Sequence, residues 1–368
     1  MHLRSQLLLA VSILYVLGLV MIFNTSSAEA LDHLQQTNTH QALLKQLFYG
    51  VFGVVIACTA FKVGYKRLFQ YCPLAQVATI VLLLAVFIPG LGITANGARR
   101  WVNVFGMSLQ PSEFTKYIAP LYFAYRLMQV KEPLSWRSFL WILLVAGFPV
   151  LLILLEPNNG TAGVVSLVFG MICFLSRVPL RYWAVPFMCI AIVGGVFALQ
   201  LPYVTRRIQV YLNPELDLKG KGHQPHQAKL AAGSGGLFGK GPGKSLQKLS
   251  YLPEAQNDYI AAIFAEEFGF IGMLVLLGLY AWIGSIGFSI ALSAKDWQGL
   301  YLASIIAFLC TFQAFLNLGV VSGLVPSTGL NLPFFSQGGS SLLANIGAIG
   351  ILLSISKQND VQLCQIRS

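Results

Sequence analysis

Ten apolar runs succeed one another along the chain, and they constrain its fold more than any motif does. They lie near Gln6–Phe23, Leu47–Phe61, Leu74–Ile93, Glu113–Val130, Phe139–Leu155, Thr161–Leu175, Trp183–Leu199, Tyr259–Ala291, Gly299–Leu324 and Gly339–Ile355. A helix that crosses a bilayer needs roughly 20 predominantly apolar residues. Apolar residues make up 56% of the 368 positions, enough to fill such runs with little left for a soluble domain. Charged residues make up 10%, against about 25% in an ordinary soluble domain. A membrane β-barrel is excluded because its lumen-facing positions alternate polar and would lower the apolar share. The pattern predicts an all-α, polytopic integral membrane protein. It reads as one membrane domain over residues 1–368, with about ten transmembrane helices and a large loop, 201–258, between the seventh and eighth.

The first run follows Arg4 and precedes Ala28-Glu29-Ala30, a stretch like a signal-peptidase site. At 18 residues it exceeds a signal core of roughly 7–15, so it reads as a retained first helix. The six cysteines show no CxxC and no paired spacing, and most lie inside apolar runs as small hydrophobes. Neither a disulfide framework nor a cysteine metal site is expected.

The net charge of +11 is first an orientation signal, because cytoplasmic loops of membrane proteins carry excess Lys and Arg. With the N-terminus inside, the inner loops and ends hold 12 of the 24 Lys and Arg residues, from Arg4 to Arg367. The outer side then holds Lys45, Arg99, Arg100 and Lys116, plus eight in the segment Leu201–Asp258. The rule applies to short loops, and leaving out this 58-residue loop puts both termini in the cytoplasm. The inner connections are short and plain. The elaborate ones, 96–110, 156–160, 201–258 and 326–341, all fall outside, so the function is expected at the outer face.

Four constellations there could carry chemistry. In the first, Asn96-Gly97-Ala98-Arg99-Arg100-Trp101 precedes Gln110-Pro111-Ser112-Glu113-Phe114-Thr115-Lys116. Pro111-Ser112 marks a helix start, and Glu113 suits the first turn. Glu113 and Lys116 share a helix face three residues apart. A capped helix with an interfacial ion pair is one reading; Arg100 and Lys116 as phosphate-binding cations is the other. The second constellation, Asn213–Leu252, carries six lysines including Lys248, with eight glycines from Gly220 to Gly243. Gly243-Lys244-Ser245 is no P-loop, since Phe238 stands where that motif needs glycine. A solvated linker is the plainer reading, and an anion-holding loop the functional one.

The third runs from Leu252-Pro253-Glu254-Ala255-Gln256-Asn257-Asp258-Tyr259 into Glu266-Glu267. Taken as one continuous helix at 1.5 Å per residue, it puts Asp258 roughly 12–15 Å beyond the glutamates, at headgroup height. Asn257 or Asp258 could cap that helix, or Asp258 could serve as a general base. Acidic residues entering a membrane helix are functional candidates. The fourth, Pro326-Ser327-Thr328-Gly329-Leu330-Asn331-Leu332-Pro333 with Ser336-Gln337-Gly338-Gly339-Ser340-Ser341, is backbone too irregular to face lipid. It reads as a re-entrant turn with Ser340 capping the tenth helix.

At these four places the sequence resembles the FtsW/RodA/SpoVE family of cell-wall polymerases. The matching residues are Asn96-Gly97-Ala98 with Arg100-Trp101, Gln110-Pro111-Ser112-Glu113 with Thr115-Lys116, Tyr251-Leu252-Pro253-Glu254-Ala255 with Asp258, and Gly338-Gly339-Ser340-Ser341. Order and spacing match across nearly the whole chain. Ser245-Leu246-Gln247-Lys248-Leu249 resembles the division-type members. The resemblance implies a peptidoglycan glycosyltransferase of the bacterial plasma membrane, polymerising lipid II at the extracytoplasmic face by inverting transfer with release of polyprenyl pyrophosphate. It implies Asp258 as the catalytic base and Arg100, Glu113, Lys116, Lys248, Glu254 and Ser340 as substrate-binding residues. Its partners would be a class B penicillin-binding transpeptidase, other division proteins and membrane lipid, with no nucleic acid; a divalent cation is the one cofactor left open. The chain departs from the family pattern at Gln256-Asn257, at Glu156-Pro157-Asn158 where the family has Gln-Pro-Asp, and at Gln337. A precursor translocase and an inactive division scaffold are the competing readings. A translocase should carry polar groups at mid-membrane or on both faces, whereas here they gather on one.

Overall fold

The computed structural model describes residues 2–32, 40–95, 98–104, 106–130, 133–200, 204–205, 209, 211, 223–248 and 256–367. The apolar runs become helices: α1 His2–Asp32, α2 Gln41–Val63, α4 Cys72–Ala85, α5 Pro111–Met128, α6 Trp136–Leu155, α7 Asn159–Leu175 and α8 Leu180–Gln200. After a short α3, Tyr65–Gln70, and α9, His223–Ser234, the series closes with α10 Ile260–Leu292, α11 Trp297–Val321 and α12 Gly339–Arg367. Among the described residues six helices are long and apolar enough to cross a membrane, and α4 and α7 are shorter apolar helices. The molecule is a multi-pass helical membrane protein.

Each helix divides its apolar residues between two environments. On α1, Leu7, Ala10, Leu14 and Met21 are buried at helical spacing, while Leu8, Leu9, Val16 and Val20 are exposed. The same split puts Val51, Val54 and Val55 of α2, and Leu74, Val77 and Val81 of α4, on the outside. In a bilayer these faces meet lipid, so hydrophobicity alone cannot hold the helices together and close packing must. Gly350 of α12 lies directly against the Ala57 backbone of α2, and a Cβ on Gly287 of α10 would fall 2.7 Å from Ala307 of α11. These contacts seat the two most extensively packed pairs, α2 with α12 and α10 with α11.

Two features depart from what the sequence suggests. The connection before α5 is ordered as a three-stranded antiparallel sheet, β1 Gly92–Ala95, β2 Ala98–Val104 and β3 Met107–Leu109. Ile93 pairs with Trp101 and Val102 with Leu109; strands this short carry too few alternating residues to stand out beside helical runs. The eighth apolar run is also not one straight helix, because Gly269 adopts φ 66° and ψ −165° inside α10. The break falls after Glu267, so the stretch from Ile260 to Phe268 that separates Asp258 from the glutamates stays helical.

The glycine-rich 235–248 segment explains that break. It is no solvated linker: the N–H groups of Lys240 and Gly241 donate to the carbonyls of Glu266 and Glu267, and those of Phe270 and Ile271 donate back to Gly236 and Leu237. The helix opens at Gly269 to take the loop in. At the other end of the bundle, Tyr65 Oη donates to Asp296 Oδ2 at 2.8 Å, and Lys66 pairs with the same carboxylate at 3.2 Å.

Candidate active site at one end of the bundle

Proline at N1 starts α5, with extended Gln110 as its N-cap. That start places Glu113 and Lys116 one turn in, facing the bundle rather than lipid. Lys116 is 1% exposed, and its Nζ donates to Glu113 Oε2 at 2.6 Å and to Gln313 Oε1 of α11 at 2.9 Å. Gln313 Nε2 donates in turn to the Asn331 carbonyl at 2.7 Å. One turn along α11, Asn317 Nδ2 bridges the carbonyls of Asp258 and Leu330, each at 2.8 Å. The irregular 326–338 connection is thus held through adjacent carbonyls by two amides in an otherwise apolar helix.

Asp258 stands at the edge of this cluster. Tyr259 takes the N-cap position of α10 and Ile260 begins the helix, so Asp258 lies one residue outside the cap. Its backbone is fixed by Asn317, and its Oδ2 faces Gly329, 3.8 Å from where a Cβ there would sit. The Asp258 side chain is half-buried.

Ser340 stitches the sheet and α5 to α12: its Oγ accepts from the Gln110 N–H at 2.9 Å and donates to the Ser108 carbonyl at 3.4 Å. The expected capping role is not what it performs: α12 already begins at Gly339, so Ser340 lies inside the helix and its hydroxyl serves these tertiary contacts instead. Gln46 Nε2 of α2 donates to the Ser336 carbonyl at 3.3 Å, and the Gln337 N–H donates to the Gln256 carbonyl at 2.9 Å. The re-entrant segment is therefore anchored on both flanks.

Arg100 projects from β2 onto the α6–α7 turn. Its Nε donates to the Glu156 carbonyl at 3.0 Å and its Nη2 to the Pro157 carbonyl at 2.5 Å. Beside it, Asn158 Oδ1 caps α7 by accepting from the Thr161 N–H, and Asn158 Nδ2 donates to Ser112 Oγ of α5 at 3.2 Å. Gly160 packs against the Thr328 carbonyl, which brings this turn onto the segment that also meets Asp258. The Glu156 side chain is 1% exposed and neither carboxylate oxygen has a hydrogen-bond partner among the described residues. Burial pushes its carboxyl up to about 8, against the opposing pull of Arg100.

Arg100, Glu113, Lys116, Asp258 and Ser340 thus belong to one connected network. Lys248 belongs to another, where its Nζ donates to Asn24 Oδ1 at 2.7 Å, to the Gly243 carbonyl at 2.6 Å and to Glu267 Oε1 at 3.1 Å. Its three donors are met within the chain, and its charge answers a buried carboxylate. Lys240 does the same for Glu266 at 2.6 Å, joined by Ser245 Oγ and the N–H groups of Leu246 and Gln247. The anion this loop holds is the protein's own. Glu254 lies outside the described residues, as do Asn96, Gly97 and Tyr251–Ala255. Among the described residues no group of three or more His, Cys, Asp or Glu side chains is assembled that could cage a metal ion.

Gln313 and Asn317 are the participants that inspection of the connections misses. The signal for the two amides was their i, i+4 spacing inside an apolar helix, where a polar side chain requires a partner. Glu156 looks like part of a turn until its burial is known.

Comparison with known proteins accords with this geometry. The family profile for FtsW, RodA and SpoVE, described as cell cycle proteins, matches residues 4–361. The chain is 37% identical over 361 residues to the Trichlorobacter lovleyi protein named probable peptidoglycan glycosyltransferase FtsW, covering 95% of this chain and 92% of that one. It is 36% identical over 349 residues to stage V sporulation protein E of Bacillus subtilis, covering 94% of each. A chain from a solved peptidoglycan synthase complex superposes with a TM-score of 0.77 at 28% identity, covering 96% of this chain and 97% of that chain. The rod shape determining protein RodA of Thermus thermophilus does so with a TM-score of 0.67 at 28% identity, covering 96% of each.

Proposed function

The chain belongs to the FtsW/RodA/SpoVE family of cell cycle proteins, and on that premise we propose that it is a peptidoglycan glycosyltransferase that polymerises lipid II during cell division. The acceptor sugar hydroxyl attacks the anomeric carbon of the donor from the face opposite its pyrophosphate. The new glycosidic C–O bond forms, the bond from that carbon to the pyrophosphate oxygen breaks, and polyprenyl pyrophosphate leaves with inversion. The hydroxyl proton passes to the Asp258 carboxylate. Arg100 meets the charge developing on the leaving group.

One observation carries this reading: a half-buried carboxylate on a locked backbone shares a network with a guanidinium that has donors to spare. Among the described residues two of the five Arg100 N–H donors are engaged, both by carbonyls. Lys116 is a buried charge committed to Glu113 and Gln313, so it supports the site by orienting the amide that holds the Asn331 carbonyl rather than by touching solvent. Glu113 pairs with that ammonium, and Ser340 supports the site separately by tying Ser108 and Gln110 to α12. No step is assigned to a divalent cation. The active face is extracytoplasmic, the membrane is the bacterial plasma membrane, the spans number ten, and the partner is a class B penicillin-binding transpeptidase.

The test is polymerisation by the purified full chain with its partner transpeptidase in detergent or liposomes, supplied with lipid II. Glycan strands and released polyprenyl pyrophosphate are expected. Movement of lipid II across liposomes with no strands formed would instead identify a translocase and overturn the proposal.

A further inference from the structure

The Glu156 side chain has no part in the network that surrounds it. Its carbonyl accepts from Arg100 and its neighbour Asn158 joins α7 to α5, yet both of its carboxylate oxygens are buried without a hydrogen-bond partner among the described residues. Among the described residues, the nearby guanidinium is what offsets the desolvation cost that an ionised carboxylate carries in that position. Arg100 on β2 is the charged group whose field reaches it. The other polar neighbours of the turn, Ser112 on α5, Asn158 and Thr161 around the start of α7, and Thr328 in the connection after α11, are neutral. Arg100 turns its Nε and Nη2 edge to the backbone carbonyls of Glu156 and Pro157 and leaves the rest of its fork without a partner among the described residues.

We infer that Glu156 is a positioning residue that governs how strongly Arg100 binds an anionic pyrophosphate headgroup: protonated, it leaves the guanidinium uncompensated, and ionised, it competes for that charge. This rests on the proposed role of Arg100. The carboxyl is pushed up to about 8, so around neutral pH the protonated, binding-competent form dominates. As the pH rises above that value, the carboxylate forms, neutralises Arg100 and repels the incoming anion. Affinity for pyrophosphate therefore falls with rising pH. By linkage, bound pyrophosphate holds Glu156 protonated to a higher pH.

The test uses the full chain in detergent and farnesyl pyrophosphate as the probe, with the dissociation constant measured from pH 7 to pH 9. If only the protonated form binds, the apparent constant rises about tenfold across that range. In E156Q it should stay level, because the amide cannot ionise. Should E156Q fail to accumulate, E156M has similar length and is equally neutral. Arg100-dependent binding whose pH response is the same in wild type and E156Q overturns the inference alone, as does a level response in wild type. Binding that R100A leaves unchanged, or no binding at any pH, overturns the Arg100 reading and the inference with it.

Discussion

Lys116 shows how much a single residue holds at this site. Its ammonium is buried between Glu113 and Gln313, and removing it strands a carboxylate that is itself buried. Breaking one side of such a pair costs about 3–5 kcal/mol, whereas replacing both partners can be nearly neutral. K116M and E113Q should each lower the unfolding midpoint in detergent, and the double variant E113Q/K116M should recover most of the loss. Single variants as stable as wild type would show that the pair is not structural. N317L should leave the carbonyls of Asp258 and Leu330 without their donor. Its expected signature is a large fall in turnover with the helical circular dichroism kept, since the proposed base, Asp258, would lose its backbone anchor; unchanged turnover would contradict that. At this scale the sequence revealed the charged residues and concealed what holds them. Arg100, Glu113, Lys116 and Asp258 stand out because charge is scarce in this chain. Gln313 and Asn317 hide inside an apolar run, and the isolation of the Glu156 carboxylate depends on what α5, β2 and α7 bring around it.

The 235–248 loop and α10 form one element in energetic terms. Gly239, at φ 82°, and Gly269, at φ 66°, meet backbone to backbone, and a side chain on either would strike the other segment. The left-handed region alone costs a non-glycine residue about 1–3 kcal/mol when forced there. G269A should therefore lower thermal stability and expose residues 240–248 to hydrogen exchange. Unchanged protection of those amides would contradict the docking described here. E266Q removes the charge that Lys240 and Ser245 answer, and the same amides should exchange faster. Glycine and lysine content made this loop look like a solvated linker. Composition counts the N–H groups and cations but not the two buried carboxylates they answer, which lie in the next helix. The short sheet before α5 was equally hidden, because its strands become visible only through pairing.

At the scale of the whole molecule, the order of the apolar runs carries over directly into helices, because a chain this poor in charge has few other ways to bury its backbone. The ends of those helices sort into a polar network on one side and the Tyr65–Asp296–Lys66 contact on the other. Charge counting assigns the first side to the exterior. In a cysteine-free background, a cysteine introduced at Lys244 should react with a membrane-impermeant maleimide on intact spheroplasts, and one at Lys66 only after permeabilisation. Both positions are exposed in the structure, so the reverse pattern would invert the topology and remove the site from the face where it is proposed to work. Segments from α5, α7, α11 and the loop before α12 converge on that side around the half-buried carboxylate of Asp258, and the central claim is that this carboxylate takes the acceptor proton. The direct measurement is glycan-strand formation from lipid II by D258A and D258N beside wild type, each with its partner transpeptidase and each checked for equal folding. Loss of strands in both variants, with the proteins intact, is the predicted result; strands formed by either at the wild-type rate would contradict it.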